Sequence, residues 1–176
     1  NDANGARHAN NAGSTAPLGI EVRQTAWATD VGADAYTITV TYQLFNKGGQ
    51  TITGFYLGFW SDPDLGGPGD DLVGCDTLND IFFCYNATNT DVEYDSTPPA
   101  FGGRIITGPI VPSPGDSAWH FGQIVHGYKN LGMKGFAKYI NGTDPSDKSQ
   151  TYHYLQGLSR DGSPYVYNGS ELRYVH

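Results

Sequence analysis

Tyr36-Thr37-Ile38-Thr39-Val40-Thr41-Tyr42-Gln43-Leu44 decides the fold class. Apolar side chains at every second position alternate with Thr and Gln, the period of a strand with one buried face. β-Branched and aromatic residues fill most of the stretch, and such side chains suit a pleated surface better than a helix. Upstream, Leu18, Ile20 and Val22 alternate with Gly19, Glu21 and Arg23, which predicts another strand. Downstream, Asn46-Lys47-Gly48-Gly49-Gln50 reads as a turn. Residues 51–60 then predict a strand, with Phe55, Leu57 and Phe59 on one face and Tyr56, Gly58 and Trp60 on the other. A strand, a glycine turn and a strand make an antiparallel hairpin-like unit.

Shorter strands are expected at 81–85, 104–107 and 117–125, with Pro112-Ser113-Pro114-Gly115 as a turn between the last two. Residues 133–140 fit either helical spacing or a bulged strand. Asp144-Pro145 reads as an N-cap followed by proline at the first helical position, giving a helix to about residue 156 that Gly157 stops. Tyr152 and Leu155 would face the core. Residues 165–167 and 172–175 are short extended pieces. The expected class is mainly β: an antiparallel, sandwich-like domain with long loops and one short helix near the C-terminus. The expected division is a flexible arm at 1–16 and a β domain at 17–130. A helix-bearing extension at 131–176 would pack on the same domain.

The chain has 176 residues, enough for one domain with a core. It is rich in glycine and 13% aromatic, but only 16% charged, below the usual quarter. That balance points to an extracellular or cell-surface β protein more than to a cytosolic helical enzyme. A net charge of −8 argues against nucleic acid and anionic membrane surfaces as partners. No apolar run reaches the length of a membrane span, so no membrane insertion is expected.

The chemistry concentrates in residues 62–76, Asp62-Pro63-Asp64-Leu65-Gly66-Gly67-Pro68-Gly69-Asp70-Asp71-Leu72-Val73-Gly74-Cys75-Asp76. Five aspartates share this stretch, and no Lys or Arg lies anywhere between Lys47 and Arg104. Carboxylates this dense repel one another unless a cation sits between them. Ca2+ takes about six to eight oxygens in flexible geometry, and the glycines would let the loop turn its carbonyls inward. Asp62 and Asp64 would bind from a strand end, while Asp70, Asp71 and Asp76 close the cage with a carbonyl near Leu65 or Gly66. The spacing is not that of an EF-hand. A solvated acidic turn is the other reading.

Asn86, Asp91 and Asp95 are candidates for a second metal loop, or belong to an ordinary acidic loop. Cys75 and Cys84 would close a small loop. A disulfide is expected there on compartment grounds, with two thiols as the alternative. Asn86, Asn141 and Asn168 begin sequons and are candidate glycosylation positions.

The order Tyr42-Gln43-Leu44-Phe45-Asn46, Tyr56-Leu57-Gly58-Phe59-Trp60, Asp62-Pro63-Asp64-Leu65-Gly66, Asp70-Asp71-Leu72-Val73-Gly74-Cys75-Asp76-Thr77 and Tyr154-Leu155-Gln156-Gly157-Leu158 carries a likeness. It resembles a segment of large bacterial secreted or surface proteins, many with a type IX secretion sorting tail. The resemblance implies an exported multidomain parent and a calcium-type acidic loop on a β scaffold. The matching ligands would be Asp62, Asp64, Asp70, Asp71 and Asp76. It implies no activity.

No nucleophile elbow, zinc-protease helix or phosphate loop occurs. Paired carboxylates serve glycosidases, but here they are too clustered, so a glycan-active enzyme is the least favoured reading. His120 and His126 would meet near a strand end. Trp27, Trp60 and Trp119 would give a carbohydrate-binding module its stacking platform. A self-assembling filament subunit that donates its N-terminal arm is a further alternative. The leading expectation is a calcium-stabilised structural or adhesion module whose partners are neighbouring domains or subunits of a surface assembly.

Overall fold

A computed structural model describes residues 8–10, 13–139, 142–167 and 170–171. As expected, the architecture is mainly β, built from antiparallel sheets joined by long loops, with one short helix near the C-terminus among the described residues. The chain divides into two compact units, Asn1–Tyr56 with Pro145–Lys148 and Leu57–Asp144 with Ser149–His176.

In the first unit, β1 (His8–Asn10) pairs with β2 (Gly13–Thr15) inside the expected arm. β3 (Ile20–Ala28) pairs antiparallel with β4 (Ile38–Asn46). The register sets Val22 against Leu44, Ala26 against Val40 and Ala28 against Ile38, so one face of the hairpin is apolar as the alternation required. On the other face Arg23 bonds Glu21 at 2.6 Å and its guanidinium lies 4.6 Å from the Phe45 ring centre.

The second unit holds a three-stranded sheet of β5 (Asp71–Asp76), β6 (Ile81–Asn86) and β7 (Ala100–Arg104), in that order. It also holds the hairpin of β8 (Ile110–His120) and β9 (Gln123–Asn130). The turn between them is Phe121-Gly122, with φ of 49° and 82°. Two positive φ values give the twist that two-residue hairpins need. The Pro112–Gly115 stretch is not a turn between strands. It lies inside β8, where the register shifts between Pro112 and Ser117 and Gly115 takes φ of 94°. β7 likewise lies earlier than expected, ending at Arg104 rather than starting there.

The expected strand at 51–60 does not form. Gly54 has φ of 63°, which a strand residue does not adopt, and Gly58 carries no Cβ because the Leu155 side chain fills that space, 2.5 Å from where a Cβ would stand. Side-chain packing holds the 57–60 part in place of a ladder. Residues 131–139 form neither helix nor strand. α1 (Lys148–Leu155) starts later than Asp144-Pro145 suggested and stops before Gly157, whose φ is 73°. Tyr152 and Leu155, expected in the core, are both exposed, and Tyr154 packs instead, against Tyr139. β10 (Val166–Tyr167) and β11 (Ser170–Glu171) close the described chain. Residues 172–175, Asn141 and Asn168 lie outside the described residues.

Candidate functional site

One face of the β5–β6–β7 sheet organises the acidic stretch. Directly opposite residues in an antiparallel ladder share a face, with Cβ atoms about 5 Å apart. The register pairs Asp71 with Asn86, Val73 with Cys84 and Cys75 with Phe82, and it carries on to Phe101 and Gly103 on β7. The chain leading into the acidic loop is laid over this face. Phe59 stacks on Phe82 at 5.4 Å between ring centres, and Phe82 meets Phe101 at 6.0 Å. Gly103 is required there, since a Cβ would stand 2.5 Å from the Phe82 ring. The Cys84 thiol donates to the Pro63 carbonyl at 3.9 Å. The Leu65 N–H donates to Asp71 Oδ2 at 2.9 Å, and Leu65 itself is buried.

Cys75 and Cys84 do not form the expected disulfide. They stand on adjacent strands but diagonally in register, Cys75 opposite Phe82 and Cys84 opposite Val73, and both are buried thiols. Diagonal Cα atoms lie about 7–8 Å apart, beyond normal disulfide reach. Burial pushes both thiols up. Asp76 adds to this at Cys75, and Asp71 and Asp64 add to it at Cys84.

The five predicted aspartates fall into different roles. Asp76 is a turn residue: its carboxylate accepts from the Leu78 and Asn79 N–H groups and the Asn79 amide, and the Asn79 side chain leads in holding it below the usual range. Asp70 lies exposed in a short 3-10 turn, and its carbonyl accepts from the Ala87 N–H at 3.0 Å. Asp62 is exposed and bears on Tyr139. Asp64 is exposed and close enough to act on Cys84, as Asp71 is. Among the described residues, no three His, Cys, Asp or Glu side chains converge as a metal-holding group.

Asp71 and Asn86 are the pair that sequence reading put in separate loops. Each has one buried side-chain oxygen, Oδ1, that accepts no hydrogen bond. Asn86 is only 7% exposed, and its amide nitrogen donates to the Thr88 and Thr90 carbonyls, each at 3.0 Å, which fixes which end of the amide is oxygen. Leaving a buried acceptor unmade costs roughly 1–3 kcal/mol, and more for a charged group. Two unmade acceptors on one face, one of them anionic, are what a hard cation satisfies.

Asp91 and Asp95 pair with each other. Their backbones form a two-way bridge, and the Asp91 carboxylate accepts from the Gly67, Glu93 and Tyr94 N–H groups at 2.9, 2.8 and 3.0 Å. These donors, Gly67 first, hold Asp91 below the usual carboxylate range. Asp80 was not singled out from sequence. It uses the same device, its carboxylate taking the Met133 N–H. His120 and His126 do not meet. His126 bonds Ser117 across the ladder at 2.8 Å, while His120 lies on the opposite face, its ring packed on Phe121. Trp27, Trp60 and Trp119 are each at least half exposed, and Trp27 belongs to the other unit.

The chain matches no protein-family model, no curated protein and no solved structure. The chemistry is therefore read from the geometry alone.

Proposed function

We propose that this chain is a calcium-stabilised β module of an exported surface protein. In this reading a divalent cation between Asp71 and Asn86 locks the acidic loop onto the β5–β6–β7 sheet, and the module serves surface structure or adhesion. The observation that carries it is the pair of buried, unmade oxygens on opposite strands. The residues fit a hard cation: the Asp71 carboxylate oxygen and the Asn86 amide oxygen would bind it. When bound, the ion would supply positive charge and oxygen ligation, and no reaction is assigned to it. Asp71 would then serve the loop twice, through Oδ2 to the Leu65 N–H and through Oδ1 to the ion. The role in a surface assembly rests on the exposed apolar residues of β4, Ile38, Val40 and Tyr42, which suit a neighbouring domain or subunit.

The test is a thermal melt in calcium, in magnesium and in chelator. Calcium at a hundred times its dissociation constant adds about 2.7 kcal/mol of apparent stability. Asp71→Asn is expected to abolish the shift, and Asp76→Asn to retain it. Equal melting in calcium and chelator would mean that a buried water satisfies the two oxygens, and the calcium reading would fall.

A further inference from the structure

A second site lies within the same unit, away from the acidic loop's sheet. The turn after α1, with Lys138, Tyr139 and Thr143, lines an open cleft of about 700 Å³. Its walls include three tyrosines, Tyr139, Tyr154 and Tyr165, with the planar polar groups of Gln150 and Arg160 between them. The volume falls within the usual range for small-molecule sites, about 300–1,000 Å³.

The rings are half-buried, and the Tyr154 and Tyr165 hydroxyls are tied. Tyr154 donates to the Thr143 carbonyl at 2.6 Å, and Tyr165 donates to the Lys138 carbonyl at 3.0 Å while accepting the Lys138 N–H at 3.3 Å. The Trp60 side chain bears on the Tyr139 hydroxyl. Tyr139 and Tyr154 stand 5.0 Å apart, tilted by 32°. Arg160 Nε donates to Gln150 at 2.7 Å and Nη1 to the Gly142 carbonyl at 3.0 Å. These bonds hold part of the wall before any ligand enters, which lowers the ordering cost of binding.

The charges nearly cancel. Lys138 and Arg160 are balanced by Asp161 in the wall and by Asp144, which acts on both Tyr139 and Tyr154. A phosphate or a strongly charged ligand gains little there. A ring with one C–H face and a rim of hydroxyls gains most: the C–H face meets the electron-rich ring face, and the hydroxyls meet mixed donors and acceptors. We infer that this cleft binds a neutral saccharide, with Tyr139 and Tyr154 as the stacking surface and Gln150, Arg160 and Asp161 as the hydrogen-bonding rim. Sequence reading placed such a surface on the tryptophans. The tyrosines were hidden because three separate segments deliver them.

The experiment is amide chemical-shift mapping on the full chain, titrated with neutral hexasaccharides of glucose, xylose, mannose and N-acetylglucosamine, and with hexagalacturonate as the acidic control. One neutral sugar is expected to shift the amides of Lys138, Tyr139, Thr143 and residues 150–165. Tyr139→Ala is expected to weaken that sugar about tenfold, and Tyr165→Phe, which keeps the ring, to weaken it less. If Tyr139→Ala does not fold, the map on the unsubstituted chain decides. Shifts centred elsewhere, tighter binding of the acidic sugar, or no response to any neutral sugar at millimolar concentration would each overturn the assignment. Repeating the titration in chelator separates this cleft from the cation reading, because the cleft needs no ion.

Discussion

Asp91 and Asp71 show how differently two neighbouring aspartates are used. Asp91 spends its carboxylate on backbone N–H groups, and that bonding holds its pKa down. Between the lowered value and the ordinary aspartate range near pH 4, the unfolded chain binds a proton that the folded chain does not. Its contribution is therefore complete above that range and lost as pH falls toward the lowered value. Asp76 and Asp161 shift the same way, through the Asn79 and Ser163 side chains. Melting temperature in chelator is expected to fall steadily below about pH 4, with a shallower fall in Asp91→Asn; a flat acid limb would contradict this. The two thiols make another residue-scale prediction. Buried, and raised by that burial, they are expected to resist a thiol reagent in the native state. Both should react in guanidinium without reductant, and a single mass change read on intact protein settles the count.

At the scale of elements, the acidic loop is held by its glycines as much as by its acids. Gly66 has φ of 75°, and a Cβ there would stand 2.1 Å from Asp91 Oδ1. Gly66→Ala is expected to cost at least roughly 1–3 kcal/mol, from the left-handed backbone alone. The urea midpoint should fall with the slope unchanged, because the same surface is still exposed on unfolding. Single strands were visible in sequence because their evidence is local: alternation in 36–44 and 20–22, and an apolar run at 81–85. Their pairing was not, since the hairpin expected across 46–50 gives way to one between β3 and β4. The strand predicted at 51–60 shows the limit of that evidence. Phe55, Leu57 and Phe59 alternate correctly, yet Gly54 and the packing of Leu155 on Gly58 decide the backbone.

At the scale of the molecule, few apolar side chains are hidden among the described residues. Leu65, Cys75, Cys84 and Ala118 are the buried hydrophobic ones there. On β4, Ile38 is 70% exposed and Tyr42 45%. A two-stranded hairpin is marginal by itself, and contiguous apolar faces in soluble proteins usually mark contacts. Ile38→Lys is expected to change stability by no more than about 0.5 kcal/mol while reducing concentration-dependent association in sedimentation velocity. A large loss of stability in this variant would instead place Ile38 in a core.

The β class, the alternation of β3 and β4 and the clustering of the aspartates were legible in the chain because each rests on residues close in sequence. The tertiary structure alone decided which of those residues meet. Antiparallel pairing brought Asp71 beside Asn86 and left the two cysteines diagonal. It gave Asp76 and Asp91 to backbone donors, and it gathered Tyr139, Tyr154 and Tyr165 from separate segments. The reason is physical: periodicity reports which face a side chain takes, whereas register and loop path, set by packing over the whole unit, choose the neighbours across that face.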